Sequence, residues 1–210
     1  MDVAWLSGMG VRSASCHVML GCMSALPKHE MTADEFLAWD LKQPKSEGGK
    51  LELADGLVIT QQSERIIHVE VKAALASALR EAILRAKLPC FALHDGATVR
   101  VAPKKVYKPD GLVYCGPRLP PETVEIPDPA IIFEVLSEDS LSRDHGDKVE
   151  AYFTLPSLQH YLIVDPERRA VVHHRRGPED DLLTRIRKTG SLRFDPPGIE
   201  IDLGGIFERE

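Results

Sequence analysis

The sequence predicts a mixed α/β (α+β) fold, in which helices flank a mixed central sheet and extra β-hairpins lie near both ends. Apolar residues recur every four positions from Ile67 to Ile83, which is the period of an amphipathic helix. The run 131–136 is apolar, too short for a helix and bounded by prolines, so it favours a central strand. Short alternating segments around two Asp-Gly pairs, at 55–56 and 95–96, favour hairpins.

Size and composition indicate one soluble domain. The chain has 210 residues, 43% of them hydrophobic and 28% charged, against a typical domain size of roughly 150 residues. Residues 29–210 are predicted to form this domain, and residues 1–28 a disordered leader or a start assigned too early. No apolar run approaches the ~18 residues of a membrane span. The net charge of −6 argues against bulk coating of nucleic acid but leaves room for a local basic groove.

The cysteines constrain the function little. Cys16, Cys22, Cys90 and Cys115 show no spacing typical of a zinc site. We interpret them as two reduced thiols on strands and two in the leader, which suits a cytoplasmic protein.

The first elements have clear boundary signals. Thr32 and Glu35 form a capping box at the start of a helix, and a hairpin turns at Asp55-Gly56 between strands 51–53 and 57–59. The long helix is predicted over 64–87, capped by Ser63 and ended by Pro89. A second hairpin is predicted to pair strands 90–94 and 97–102. The remaining predicted elements are strands at 110–115, 131–136, 160–165, 170–174, 182–188 and 199–203, and a helix at 141–154.

Glu134 is the only acid in the apolar strand 131–136. A buried carboxylate is costly unless a cation or good hydrogen bonds compensate it. Strand alternation could instead point Glu134 at solvent, but Ile132 and Leu136 would share that face. A functional role is therefore the stronger interpretation.

Asp110 is the second candidate acid. Pro109-Asp110-Gly111 would also satisfy an ordinary turn. Glu134 follows Asp110 by 24 residues, enough for a strand, a connection and a neighbouring strand, so the two carboxylates could converge. Oxygen ligands of this kind suit Mg²⁺ or Mn²⁺ rather than zinc.

These motifs resemble the Uma-type family, a group of restriction endonucleases within the PD-(D/E)xK nuclease superfamily. The resemblance spans roughly residues 31–205 and includes Thr32–Leu37, Leu51–Leu53 with Asp55-Gly56, and His68. Its main motifs are Pro109-Asp110, Glu134-Val135-Leu136-Ser137, Asp144 with Lys148 and Tyr152, and Ile163-Val164-Asp165-Pro166. It implies a restriction-endonuclease-like fold and divalent-metal-dependent cleavage of DNA. Asp110 and Glu134 would then bind Mg²⁺ or Mn²⁺ with the carbonyl of Val135, and Glu52 is a further candidate acid.

The sequence departs from the superfamily pattern at its lysine. Leu136 stands where that lysine is expected, and Lys148 on the following helix is the matching residue. Lys148 could stabilise negative charge on the phosphate, or merely pair with Asp144 on the surface. Tyr152, one turn later, could contact phosphate or the surroundings of Lys148, or only pack.

Other polar residues are weaker candidates. His68 could lie in the site, as a supporting or phosphate-contacting residue, or be an ordinary helix histidine. Asp165 could belong to the site or only end a strand, and the segment 173–176 is interpreted as a solvated edge. Residues 100–118 carry five basic side chains and one acid, which indicates either a phosphate-binding flank or a soluble loop.

Three functions remain open from sequence alone. The first is a metal-dependent endonuclease acting on DNA, for which cleavage of two strands would favour a homodimer. The second is a catalytically inactive, nuclease-derived module that binds nucleic acid or a partner. The third is a scaffold in which Glu134 is simply ion-paired with Lys148.

Overall fold

The computed structural model describes residues 26–43, 50–60, 64–136 and 144–207, so most of the predicted leader lies outside the described residues. The helices are α1 (Ala33–Asp40), α2 (Ile66–Ala86), α3 (Asp144–Phe153) and the short α4 (Gly204–Phe207). Helix α1 begins with the expected capping box, in which the Thr32 hydroxyl accepts from the Glu35 amide and the Glu35 carboxylate accepts from the Thr32 amide.

Twelve strands belong to the described part of the chain. They are β1 (Leu51–Ala54), β2 (Leu57–Thr60), β3 (Cys90–His94), β4 (Val99–Ala102), β5 (Lys105–Tyr107), β6 (Gly111–Cys115), β7 (Pro129–Val135), β8 (His160–Asp165), β9 (Ala170–Arg176), β10 (Leu182–Arg187), β11 (Ser191–Phe194) and β12 (Ile199–Asp202).

The strands form three sheets among the described residues. The six-stranded sheet has the order β10-β9-β8-β7-β6-β3, and only its β7–β8 pair is parallel. A four-stranded sheet, β2-β1-β5-β4, contains the N-terminal hairpin, and β11 and β12 form the C-terminal one. The predicted mixed sheet with flanking helices and terminal hairpins is thereby confirmed.

Each face of the large sheet covers its own hydrophobic core. Strand alternation sends Phe133 and Val135 to the face covered by α2 and the β11–β12 hairpin, and Ile132 to the face covered by α3. Fully buried large side chains such as Leu79 and Tyr152 fill the two layers. Because β7 is buried on both faces, any polar side chain it carries must find a partner inside the protein.

The second predicted hairpin is wrong. Strands β3 and β4 flank Asp95-Gly96, but β3 pairs with β6 in the six-stranded sheet and β4 pairs with β5 in the four-stranded sheet. The chain therefore changes sheets at this turn, which local turn chemistry does not reveal. Strands β5 and β11 were also missed, because three- and four-residue strands carry almost no periodic signal.

The start of α2 also differs from the prediction. Its N-cap is Arg65, with no side-chain hydrogen bond, whereas Ser63 lies outside the described residues. The helix ends with Lys87 in a left-handed conformation, two residues before Pro89.

The prediction of reduced thiols is wrong for the two described cysteines. Cys90 and Cys115 lie opposite each other on β3 and β6 and form a disulfide. Spacing of 25 residues gave no hint of this pairing, since it depends on the register of two strands. The argument for a cytoplasmic location from reduced thiols therefore no longer holds. No described helix is long and apolar enough to cross a membrane.

Candidate active site

The register of β6 and β7 brings Asp110 and Glu134 together. The last paired residues are Gly111 and Phe133, so Asp110 and Glu134 stand one position beyond them on adjacent antiparallel strands. A Cβ atom on Gly111 would lie 2.1 Å from the Phe133 ring and 2.8 Å from the Leu93 carbonyl oxygen. Gly111 is therefore needed for close packing at the start of β6, and the Pro-Asp-Gly motif does more than make a turn.

Asp110 accepts three hydrogen bonds or ion pairs in a buried position. Its Oδ1 lies 2.7 Å from Nζ of both Lys50 and Lys72, and its Oδ2 accepts from the Val135 amide at 2.8 Å. Burial raises the pKa of the Asp110 carboxyl, but the two ammonium groups outweigh this effect and hold that pKa below its ordinary value. Asp110 is thus kept ionised at the end of the sheet.

Glu134 lies in a different electrostatic environment. Its Oε1 accepts from Lys148 Nζ at 3.2 Å and from the Tyr152 hydroxyl at 3.1 Å. Burial raises the pKa of Glu134 to about 7; Lys148 opposes the rise, and the Asp110 and Glu52 carboxylates add to it. The two neighbouring acids therefore differ in how readily they hold negative charge near neutral pH.

Glu52 adds a third carboxylate from the four-stranded sheet. It is fully buried on β1, and its Oε1 accepts from the Lys108 amide at 2.9 Å. Its Oε2 has no hydrogen-bond partner among the described residues and lies 3.5 Å from Lys148 Nζ. The Glu52 side chain thus carries a buried acceptor oxygen with unused hydrogen-bonding capacity.

Lys148 joins the two sheets at this point. It is 4% exposed and lies between Glu52 and Glu134, with its ammonium 5.2 Å from the centre of the Tyr107 ring. Lys148 is therefore buried between these acids rather than exposed on the helix surface. The predicted placement of Lys148 and Tyr152 one turn apart on one face of α3 also explains why both reach Glu134.

His68 and Lys72 lie one turn apart on the buried face of α2. Lys72 is 3% exposed and binds the carboxylates of Asp110 and Glu64. His68 is 2% exposed, and neither of its ring nitrogens has a hydrogen-bond partner among the described residues. Burial of an unsatisfied imidazole is unfavourable, so His68 marks a place where a further polar group would be stabilised.

The charges of the cluster are paired. Three carboxylates (Glu52, Asp110 and Glu134) meet three ammonium groups (Lys50, Lys72 and Lys148), and two further acids, Asp95 and Glu64, bind Lys50 and Lys72 from outside it. Within the described ranges, no group of three or more His, Cys, Asp or Glu side chains has the geometry of a metal site. The lysines lie against the oxygens that would otherwise be available to an ion.

The chemistry of the donor set nevertheless fits a hard divalent cation. All three acids offer carboxylate oxygens, which Mg²⁺ and Mn²⁺ prefer. The unused Oε2 of Glu52 is an additional oxygen donor. Asp110 and Glu134 are the residues that would hold such an ion, with Glu52 beside them.

The structure brings together most of the residues predicted from sequence. Asp110, Glu134, Glu52, Lys148 and Tyr152 are joined by direct contacts or share a partner. The Val135 amide contacts Asp110, whereas the role predicted for its carbonyl stays a prediction. His68 lies near the cluster through Lys72.

Two other predicted features lie elsewhere. The carboxylate of Asp165 accepts from the Arg168 amide at 2.9 Å and closes the turn after β8. The basic segment 100–118 is largely neutralised: Arg100 binds Asp34 and Glu125, and each of its lysines binds one acid. It is therefore no phosphate-binding flank in this conformation.

Sequence analysis missed Lys50 and Lys72 as members of the cluster. Lys72 could have been found, because it interrupts the buried stripe of α2 between Val71 and Leu75. Lys50 gave no comparable signal, since it reaches Asp110 across 60 residues from the end of a strand.

The segment 173–176 is also more than a solvated edge. His173 is 6% exposed and shares a 2.9 Å hydrogen bond with His160, while Arg176 donates to backbone carbonyls of Phe153, Leu155 and Leu158. The alternation was correct, but the hairpin that covers one face could not be foreseen.

Comparisons with known proteins identify the family and the fold. The family model described as "Uma2: Putative restriction endonuclease" matches residues 33–203. A crystal structure of a protein described as a putative nuclease belonging to DUF820, from Anabaena variabilis, is similar with a TM-score of 0.64. It is 18% identical, and the match covers 84% of this chain and 97% of that one. The search of curated proteins finds no match.

The structural likeness identifies a restriction-endonuclease-like fold. The family match covers most of the sequence and includes all of the carboxylates and lysines of the cluster. The resemblance inferred from the motifs is thus confirmed, and the chain belongs to the Uma2 family of restriction-endonuclease-like proteins.

Proposed function

We propose that the protein is a divalent-metal-dependent endonuclease that hydrolyses phosphodiester bonds of DNA, with Mg²⁺ or Mn²⁺ as its cofactor. The observation that carries this proposal is the convergence of Glu52, Asp110 and Glu134, all less than 10% exposed, at one end of the sheets. Burying three carboxylates costs folding free energy, so a role beyond stability is the simplest reason for keeping them.

The site residues divide the chemistry among them. A divalent ion held at Asp110 and Glu134 supplies Lewis acidity: it lowers the pKa of water and neutralises charge on the phosphate. Asp110 is suited to holding the ion, because its low pKa keeps it ionised. Tyr152 and Lys148 orient the Glu134 carboxylate by donating to one of its oxygens.

Lys148 has a second task in this proposal. Its ammonium group lies between two carboxylates and could shift toward a phosphate once an ion takes over their charge. There it would stabilise the negative charge that develops during hydrolysis. His68 would donate to or accept from the substrate or an ordered water, which satisfies its buried ring nitrogens.

The arrangement of lysines also favours a second candidate, an inactive nuclease-derived module that binds nucleic acid. Three ammonium groups already neutralise the three acids, as they would in a protein that no longer uses a metal. The two candidates differ in whether an ion displaces the lysines.

Cleavage of supercoiled plasmid DNA separates these candidates. We expect the wild-type protein to cleave with Mg²⁺ or Mn²⁺ and not with EDTA. Asp110→Asn, Glu134→Gln and Lys148→Ala should each lower the rate by about 100-fold or more. Asp165→Asn is the matched control, because it removes a carboxylate that serves only a turn, and it should stay within about threefold of wild type.

If no cleavage is observed, a measurement of metal binding separates the two candidates. Binding of DNA by a protein that cleaves in no metal and takes up no Mn²⁺ in calorimetry would favour the inactive module. An absence of both cleavage and metal binding in a folded wild-type protein would refute the endonuclease proposal.

A further inference from the structure

A second polar site lies at the β10 edge of the six-stranded sheet, in a pocket that is separate from the candidate active site. The pocket has a volume of about 490 Å³ and is lined by residues of β9, β10 and β11. Its charged lining residues are Arg175, Arg185, Arg187 and Arg193, with Asp195 as the single acid; we call it the arginine pocket.

Strand register explains why these arginines share one face. Leu183, Arg185 and Arg187 of β10 pair with Arg175, His173 and Val171 of β9, respectively. Side chains two residues apart on a strand point to the same face, about 7 Å apart. The β11–β12 hairpin forms the wall of the pocket, and Arg193 projects from its exposed side.

The pocket is unbalanced in charge. Arg193 pairs with Asp195 at 3.5 Å, but Arg175, Arg185 and Arg187 have no ion pair with any described carboxylate. This contrasts with the segment 100–118, in which Arg100 and the three lysines bind acids. An excess of arginines in a chain of net charge −6 is not a consequence of general basicity.

The floor of the pocket is neutral. His160 Nε2 lies 2.8 Å from the Pro196 carbonyl oxygen and must donate to it, so His160 Nδ1 accepts from His173 Nε2 at 2.9 Å. Burial, together with the neighbouring His160 and Arg175, lowers the pKa of His173 to about 3. The positive charge of the pocket therefore comes from the arginines alone.

Cross-strand pairing relates the pocket to the candidate active site. Arg187 pairs with Val171, which pairs with Val164, which pairs with Val135, whose amide binds Asp110. The row crosses three strand spacings, or about 14 Å.

We propose that the arginine pocket binds the phosphate backbone of the nucleic acid on which the candidate active site acts, as a contact surface outside the site of cleavage. The inference rests on the proposed function for the identity of the ligand. Guanidinium groups bind phosphate oxygens through paired hydrogen bonds, and three of them here have no described carboxylate to compete for those bonds.

Binding of DNA, measured apart from cleavage, tests this proposal. A fluorescein-labelled 24-base-pair duplex is titrated with protein in EDTA at 50 to 200 mM KCl, and anisotropy gives the dissociation constant. Arg185→Gln/Arg187→Gln should weaken binding about tenfold and lower the slope of log affinity against log salt by about 2. Both arginines are exposed, and circular dichroism and the urea midpoint confirm that the variant is folded.

Arg80→Gln/Arg85→Gln is the matched control, since it removes two exposed positive charges from α2. It should bind the duplex within about twofold of wild type. If both double variants weaken DNA binding equally, the effect is one of net charge and the proposal is overturned. Wild-type affinity in the Arg185→Gln/Arg187→Gln variant would also overturn it. The proposal would also be overturned if adenosine monophosphate displaced the labelled duplex at the same concentration as unlabelled duplex does. The pocket would then bind a single phosphate group rather than a nucleic-acid backbone.

Cleavage assays distinguish failure of this inference from failure of the proposed function. Suppose that the protein binds DNA through these arginines but does not cleave it in the presence of any metal. This result would uphold the pocket and refute the endonuclease. Metal-dependent cleavage with unchanged binding in the pocket variant would refute the pocket and uphold the endonuclease.

Discussion

The two polar regions of the molecule handle charge in opposite ways. At the candidate active site, three carboxylates and three ammonium groups are mostly buried and lie within ion-pairing distance of one another. In the arginine pocket, three arginines lack a described ion-pair partner, and two of them are exposed. Water stabilises the unpaired charges of the second region, whereas the first region must provide its own counterions.

This difference predicts that substitutions in the two regions act on different properties. Removal of a charge from the buried cluster should change both folding stability and activity. Removal of a charge from the arginine pocket should change binding with little effect on stability.

The largest effect is expected for Asp110→Asn. It deprives Lys50 and Lys72 of a shared buried carboxylate, and should lower the free energy of unfolding by about 3 kcal/mol or more. Urea denaturation at pH 7 measures this change. Asp195→Asn, which removes the exposed partner of Arg193, should cost less than about 1 kcal/mol, and equal costs for the two variants would contradict the contrast.

The next effect is a pH dependence that belongs to Glu134. Its pKa is raised in the folded protein from 4.5 to about 7, so the folded state binds a proton more tightly than the unfolded state. The stability gained from this proton is complete below about pH 4.5 and is lost as the pH rises through 7. In metal-free wild-type protein the loss should reach about 3 kcal/mol.

Glu134→Gln tests that assignment, because glutamine cannot ionise. The difference in unfolding free energy between wild type and variant, measured in urea with EDTA, should change between pH 4.5 and 7 and be flat below. Asp110 does not interfere in this window, since its pKa is lowered and its contribution is lost only as the pH falls below its ordinary value of 3.8. Parallel pH profiles for the two proteins would refute a raised pKa at Glu134.

A steric prediction concerns the backbone beside Asp110. Gly111→Ala places a methyl group against the Phe133 ring and the Leu93 carbonyl oxygen, which should cost about 1 to 3 kcal/mol and displace Asp110. Gly146→Ala on α3 is the control, because a Cβ there meets nothing within 4 Å. A fully stable Gly111→Ala protein with unchanged metal affinity would show that this packing does not position the site.

The smallest effect is expected in the segment that sequence analysis considered as a phosphate-binding flank. Lys104→Gln breaks an exposed pair with Glu30, which water screens, so the urea midpoint should stay at its wild-type value. It should leave duplex affinity within about twofold, in contrast to the loss from the arginine pocket. A large loss of DNA binding on this substitution would restore the original interpretation of the segment.

Sequence reasoning was most successful where local patterns sufficed. The capping box at Thr32, the apolar stripe of α2 and the lone acid in β7 each depend on nearby residues, and the structure contains all three. Relations between distant segments were harder. The disulfide between Cys90 and Cys115, the exchange of sheets after Asp95 and the partnership of Lys50 with Asp110 all depend on strand order.

Charge in particular could not be predicted from sequence runs. The cluster of basic residues at 100–118 is neutralised by acids from distant segments, such as Asp40 and Asp55. The arginines of the pocket instead come from three different strands, and only the sheet register collects them. Local charge counts therefore overestimated one surface and missed the other.

Uptake of a divalent ion by the buried carboxylates would be visible in a crystal of the protein soaked in Mn²⁺. We expect one anomalous peak within about 2.3 Å of carboxylate oxygens of both Asp110 and Glu134, with the ammonium groups of Lys50 and Lys148 moved away from those oxygens. Fully occupied Mn²⁺ at other sites, with every lysine still paired to its carboxylate, would contradict it.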